Sequence, residues 1–150
     1  MFWLKLRLLM LGCTLNGVAA ALRLPLPPKM AVLGFIEKNG RYLVLDLSYR
    51  NGFGFPGGLL EGNETLEEGL VREIFEETGL TIVTATYITS KKERIWGFPV
   101  VTAAFAVTVS GTIHASSEGS LHYRTSEEIL ARTAYQNSRD AFIHYLALKK

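Results

Sequence analysis

The apolar positions change their period several times along the chain, and each change marks an element. Ala31 to Ile36 is an apolar, β-rich run, and Tyr42 to Leu47 is a second. Asn39-Gly40 between them is a strong hairpin signal, because both residue types tolerate the positive φ that a two-residue turn requires. Phe53 to Phe55 predicts a short strand closed by a Pro56-Gly57-Gly58 turn. The period then lengthens. Leu66, Leu70 and Ile74, with Val71 and Phe75 beside them, recur at helical spacing and predict one apolar face. Thr65 is the expected N-cap, Glu68 completes a capping box, and Gly79 is placed to stop the helix.

Beyond Gly79, Thr81 to Thr89 reads as a strand, and Val100 to Val109 as a long strand apolar enough to be buried. Leu121 to Tyr123 predicts a short strand. Thr125 with Glu128 forms a second capping box, opening a helix through about Ala134. Ser138 is the expected cap of a third helix through about Leu148. Strands, helix, strands, helices in that order predict an α/β fold of the α+β, mixed-sheet kind, with the sheet between helices.

Charge and cysteine content narrow the chemistry. The net charge is +2 on 150 residues, and the basic residues are scattered. No extended basic surface is predicted, so no stable nucleic-acid partner is expected. The lone cysteine, Cys13, excludes an intramolecular disulfide and a cysteine-based zinc site. It sits among apolar residues and reads as a buried, inert thiol.

The informative stretch is Gly58 to Leu80, GLLEGNETLEEGLVREIFEETGL. Glu73, Glu76 and Glu77 stand three and four residues apart, which puts them on one side of a helix. Carboxylates so close repel each other unless a cation sits among them. Oxygen donors of this kind select Mg²⁺ or Mn²⁺ over softer metals. Arg72 is within reach of Glu64 or Glu76 and would hold a carboxylate bidentately. A solvated acidic surface would account for Glu67 and Glu68. It would not account for Gly58, Glu64, Arg72, the three acids and Gly79 at fixed distances.

That spacing, G-x5-E-x7-R-E-U-x-E-E-x-G-U with U a bulky apolar residue, resembles the signature box of the Nudix hydrolases at every fixed position. The resemblance implies a Nudix-type α/β/α sandwich. It implies a Mg²⁺-dependent hydrolase, with Mn²⁺ as a substitute, acting on a phosphoanhydride bond in a nucleoside diphosphate linked to another group. It also implies a metal shell of Glu73, Glu76 and Glu77 with a carbonyl from Gly57 or Gly58, Gly57 being the first choice. Glu73 is the first candidate for general base and Glu77 the main ligand, with Arg72 holding a carboxylate in place. Some members recruit a later Glu. Glu118, in a polar loop, is the first candidate, and Glu93, in an expected Lys91–Arg94 turn, the second.

Substrate contacts are less legible. Arg50 and Phe53, with Tyr49, precede the glycine turn and flank the expected site, while Trp96 and Phe98 offer faces for stacking on a base. Arg139 is a candidate phosphate contact. His114, His122 and His144 have no metal-ligand spacing and read as structural or exposed. The leading expectation is an active pyrophosphohydrolase with a nucleotide-type small-molecule substrate. The alternatives are a non-catalytic nucleotide or metabolite sensor, and a membrane-associated hydrolase of lipid-linked diphosphates.

The last alternative comes from the N-terminal segment. Leu8 to Leu22 carries no charge over fifteen residues, short of the ~20 that span a bilayer. It can be read as a secretory signal, with Lys5 and Arg7 ahead of an apolar core and Ala19-Ala20-Ala21 as the cleavage site. It can be read as an anchor. The favoured reading is an apolar helix packed on the domain, on a second copy in a homodimer, or at a membrane surface through residues 2–22. Intracellular nucleotides favour a cytoplasmic enzyme, with membrane association and a signal peptide both left open. Arg23 to Pro28, rich in proline, reads as an extended linker. The expected division is residues 1–28 as helix and linker, and 29–150 as the hydrolase domain.

Overall fold

A computed structural model describes residues 27–47, 50–95, 97–114 and 119–150. The expectations placed on residues 1–26, and on Tyr49, Trp96 and Glu118, lie outside the described residues.

Among the described residues, seven strands and three helices follow in order: β1 Lys29–Lys38, β2 Arg41–Leu47, β3 Gly52–Gly54, β4 Gly57–Leu59, α1 Leu66–Thr78, β5 Thr81–Ile95, β6 Phe98–Ser110, β7 Ser120–Arg124, α2 Ser126–Arg132 and α3 Gln136–Leu148. The strands form one mixed sheet. β1 lies at its centre, parallel to β6 along Lys29–Ile36 and antiparallel to β4 along Ala31–Leu33. Among the described residues β5 pairs only with β6 and so forms an edge, while β2 carries β3, β7 and a hairpin back to β1. The hairpin turns at Asn39 and Gly40, both at positive φ (53° and 74°), as the sequence pattern required.

Side-chain alternation along β1 splits the interior into two layers. Val32 and Ile36 face α1, packing with Leu70, Ile74, Ala103, Phe105 and Val107. Leu33 and Phe35 face α2 and α3, packing with Phe53, Phe55, Ile129, Phe142 and Tyr145. Helices therefore cover both faces of the sheet, which is the expected α/β/α sandwich. Leu70 and Ile74 are fully buried, each worth ~1.5–3 kcal/mol of transfer free energy. Gly34 is small because Ile74 and Val107 fill the space its side chain would take.

Both capping boxes form, Thr65 with Glu68 and Thr125 with Glu128, and Gly79 ends α1 in the left-handed conformation at φ 74°. Several expectations need correction. Val71 and Phe75 do not join the buried face of α1; they are 51% and 60% exposed. They lie off the Leu66–Leu70–Ile74 stripe by about a quarter turn or more. The Pro56-Gly57-Gly58 turn is instead the start of β4, paired with β1. β5 runs on through Lys91–Arg94, so Glu93 lies in a strand and not in a turn. Lys92 and Arg94 are exposed, as charges on an edge strand can be, while Glu93 turns to α3. Helix α2 stops at Arg132, and α3 begins at Gln136 with Tyr135 in the cap position and no side-chain cap. Ser138 lies inside that helix, where its hydroxyl donates to Asn137 Oδ1. Among the described residues, no helix is long and apolar enough to cross a membrane.

Candidate active site

Helix α1 brings the acidic residues to β4. The capping box fixes where the helix begins, and Leu70 and Ile74 anchor it on β1 and β6, so the rotation of the helix about its axis is set. Glu73 and Glu77 are then carried inward, and both are buried (2% and 7% exposed). The helix thus turns these two acids toward the sheet and not into solvent. Their neighbours are the two glycines of β4. The Gly57 N–H donates to Glu77 Oε2 at 2.8 Å. A Cβ on Gly58 would lie 2.5 Å from Glu73 Oε1, so only glycine lets that carboxylate seat there. Gly57 has φ 149°, and a Cβ there would meet the Val32 carbonyl at 2.1 Å.

Arg72 organises the outer part of the site. Its Nε and Nη2 donate to the two oxygens of Glu64 at 2.6 and 2.8 Å, a bidentate pair. Nη1 donates to Glu73 Oε1 at 2.8 Å, and Nη2 reaches the Leu59 carbonyl at 3.1 Å. Glu76 Oε2 is 3.6 Å away and Glu61 Oε1 3.8 Å away. Of the two partners expected for Arg72, Glu64 takes the bidentate role. That pairing, with the Glu61 N–H, holds the Glu64 carboxyl at a pKa of about 2, below the ordinary 4.5. The surrounding carboxylates push Arg72 further up, against its own desolvation.

Among the described residues, no three His, Cys, Asp or Glu side chains are gathered at metal-ligand spacing. Arg72 supplies the positive charge beside Glu73 and Glu64, and Glu77 turns to a backbone N–H. The chemistry of the donor set nevertheless suits a hard divalent cation. Two buried carboxylates a single helical turn apart lie against a strand whose glycines leave room beside them.

The other candidates scatter. Arg50 lies over the Tyr135 ring at 4.4 Å, at the start of α3. Phe53 is buried in the core layer that faces α2 and α3, with Arg132 and Arg124 over its ring at 5.0 and 5.7 Å, so its face is already covered. Phe98 lies under Lys29 at 5.7 Å. Arg139 Nε donates to the Leu130 carbonyl, tying α3 to α2. His114 packs on Gly79 and its N–H caps the Thr78 carbonyl. Glu93 belongs to another constellation that sequence reasoning missed. Its Oε2 accepts the Asn137 N–H at 3.1 Å, and the Asn137 amide donates to Thr102 at 2.7 Å. Glu93 Oε1 is buried with no hydrogen-bond partner among the described residues. No local signal in the sequence announces it, because the two residues stand 44 positions apart.

Comparison with known proteins agrees with this geometry. The NUDIX domain model matches residues 25–146, and the chain belongs to that family. A relative named ADP-ribose pyrophosphatase, from Methanocaldococcus jannaschii, is 48% identical over 61 residues, covering 39% of this chain and 36% of the relative. A MutT-like protein from Streptomyces ambofaciens is 30% identical over 101 residues, covering 66% of this chain and 64% of the relative. The matched stretches thus span about a third and just under two thirds of these curated relatives. Among solved structures, the E. coli ORF135 protein superposes with TM-score 0.72 at 27% identity, covering 83% of this chain and 95% of that one. The MutT protein of Methanosarcina mazei superposes with TM-score 0.72 at 26% identity, covering 85% and 99%.

Proposed function

We propose that the protein is a Mg²⁺-dependent Nudix pyrophosphohydrolase that cleaves a phosphoanhydride bond in a nucleoside diphosphate linked to another moiety. The catalytic unit is residues 29–150. The observation that carries the reading is the seating of Glu73 and Glu77, buried carboxylates held against the two glycines of β4. Burying two acids is costly, and a fold that needed only a surface helix would keep them in water. The name of one similar protein, ADP-ribose pyrophosphatase, points to the same reaction class.

Glu73, Glu76 and Glu77 would hold the cation, with the Gly57 carbonyl beside them. A bound Mg²⁺ would neutralise phosphate charge and polarise phosphorus. Glu73 takes the proton from the attacking water, and its seat on Gly58 fixes the direction in which it accepts. Arg72 positions Glu73 and locks Glu64, so that the acid beside the reacting atoms keeps one orientation. Glu118 remains our candidate for a further acid and Trp96 for a base-stacking face. Arg50, over the Tyr135 ring at the start of α3, is the candidate for a substrate contact.

The test is a panel of nucleoside diphosphate derivatives, ADP-ribose among them, assayed with Mg²⁺, with Mn²⁺ and with chelator, with products identified. Metal-dependent cleavage between the two phosphates of one class is expected. Tight binding without cleavage across the panel would overturn the reading in favour of a sensor.

A further inference from the structure

The helices of the described residues do not all start in the same way. α1 and α2 open on threonine, whose hydroxyl accepts an N–H of the first turn. α3 opens on Tyr135, and no side-chain cap forms there. The duty passes to another element. Glu93 on β5 lies opposite Val100 of β6, two residues along from Thr102. Val100 and Thr102 share the face of Ala104, which packs in the α2–α3 layer. Glu93 Oε2 accepts the Asn137 N–H at 3.1 Å, and a carboxylate there also meets the positive end of the helix dipole. The Asn137 amide completes the seat. Its Nδ2 donates to Thr102 Oγ1 at 2.7 Å, and its Oδ1 accepts the Ser138 N–H at 2.7 Å. The first turn of α3 is thereby fixed to β5 and β6.

This arrangement costs stability. Glu93 Oε1 is buried with no hydrogen-bond partner among the described residues, and a dry, unpaired carboxylate oxygen is unfavourable. Serine, threonine or aspartate at position 135 would cap α3 without it. None of those residues could do what Tyr135 does. The Arg50 guanidinium lies over its ring at 4.4 Å, and a planar guanidinium stacks well on an aromatic face. The connection that carries Tyr135 is itself held to β3. The Ala134 N–H donates to the Phe53 carbonyl at 2.9 Å, and a Cβ on Gly52 would lie 2.7 Å from the Arg132 carbonyl. Only Phe55 and Pro56 separate β3 from β4, the strand on which Glu73 and Glu77 seat.

We propose that Glu93 is a positioning residue for Arg50. By capping α3 from β5 it frees position 135 for the aromatic ring on which Arg50 rests, and so sets where that arginine meets substrate. The role of Arg50 at the substrate rests on the pyrophosphohydrolase reading; the relay from Glu93 through α3 and Tyr135 to Arg50 does not.

Two measurements on the full chain test it. In NMR spectra the Arg50 side-chain protons, shielded by the Tyr135 ring, should resonate upfield of an ordinary arginine. Glu93→Ala and Tyr135→Ser should each move them back toward the ordinary position. Glu93→Gln, whose amide oxygen can still accept the Asn137 N–H, should keep them in place. In assays with ADP-ribose and Mg²⁺, Glu93→Ala and Tyr135→Ser should raise KM on the order of tenfold, with kcat within about twofold. Glu93→Gln should keep the wild-type KM. Tyr135→Ser separates the effect from loss of fold, because serine supplies a local cap and Tm should not fall. In an Arg50→Ala background neither variant should raise KM further. Arg50 protons at one position in all variants would overturn the relay. So would cleavage of ADP-ribose with KM unmoved in Glu93→Ala and Tyr135→Ser. A wild type that leaves ADP-ribose intact would count against the pyrophosphohydrolase reading, and the Arg50 shifts alone would then uphold or overturn the relay.

Discussion

The two flanks of α1 reverse the usual division of a surface helix. The flank against β4 buries Glu73 and Glu77 and ties Arg72 to Glu64. The opposite flank leaves Val71 and Phe75 in water. Between them, Leu66, Leu70 and Ile74 do what an amphipathic helix ordinarily does, and they hold it in place. The contrast teaches that apolar packing here is a mounting for the helix, and that the side chains departing from the hydrophobic pattern are the ones to examine for chemistry and contact. On the first flank the departure is matched by specific partners, namely two glycines, an N–H and a guanidinium.

The sharpest way to break the contrast is Glu77→Gln. The amide oxygen can still accept the Gly57 N–H, so the fold should hold, while kcat falls on the order of 100-fold or more. Unchanged turnover with an unchanged far-ultraviolet spectrum would remove Glu77 from the proposed metal shell. Arg72→Lys comes next. A single ammonium cannot serve both oxygens of Glu64 and Glu73 together, so a fall in Tm of about 5 °C is expected by calorimetry, with a smaller loss of kcat.

The same pair governs behaviour in acid. Because the Glu64 pKa is depressed from 4.5 to about 2, its contribution is fully present above 4.5 and is lost as pH falls toward 2. Urea midpoints should therefore drop between about pH 5 and pH 2 in the wild type, and Glu64→Gln should flatten that part of the profile. An unaltered slope would mean other carboxylates set the acid limit. The smallest effect is expected from Thr65→Ala, which removes the side-chain acceptor for the Glu68 N–H. It should cost about 1 kcal/mol in chemical denaturation, shared equally by both flanks.

What the sequence made legible was local. Both capping boxes, the Asn39-Gly40 hairpin, the glycine stop of α1 and the order of elements rest on residues within a few positions of each other. So does the signature stretch that identified the family. What it hid was long-range. Periodicity placed Val71 and Phe75 near an apolar stripe but could not say that the sheet reaches only one side of it. The charges of Lys91–Arg94 read as a turn because the run carries no apolar side chain to mark the face that α3 covers. Burial of Glu73 depends on Gly58 lying opposite it across the fold, a match visible only once β4 is in the sheet. Glu93 and Asn137 meet across 44 residues, and nothing near either announces the other.

That last pairing bears on the order in which the molecule assembles. Helices α1 and α2 carry their own start signals and can begin to wind before the rest of the chain is in position. Helix α3 has no local signal; the acceptor for its Asn137 N–H comes from β5, which must first be laid against β6. Closing a contact of that span is slow compared with winding a capped turn. In pulse-labelled hydrogen exchange during refolding, the amides of α3 should become protected after those of α1, in step with β5. Simultaneous protection of α1 and α3 would show that α3 needs no template from the sheet.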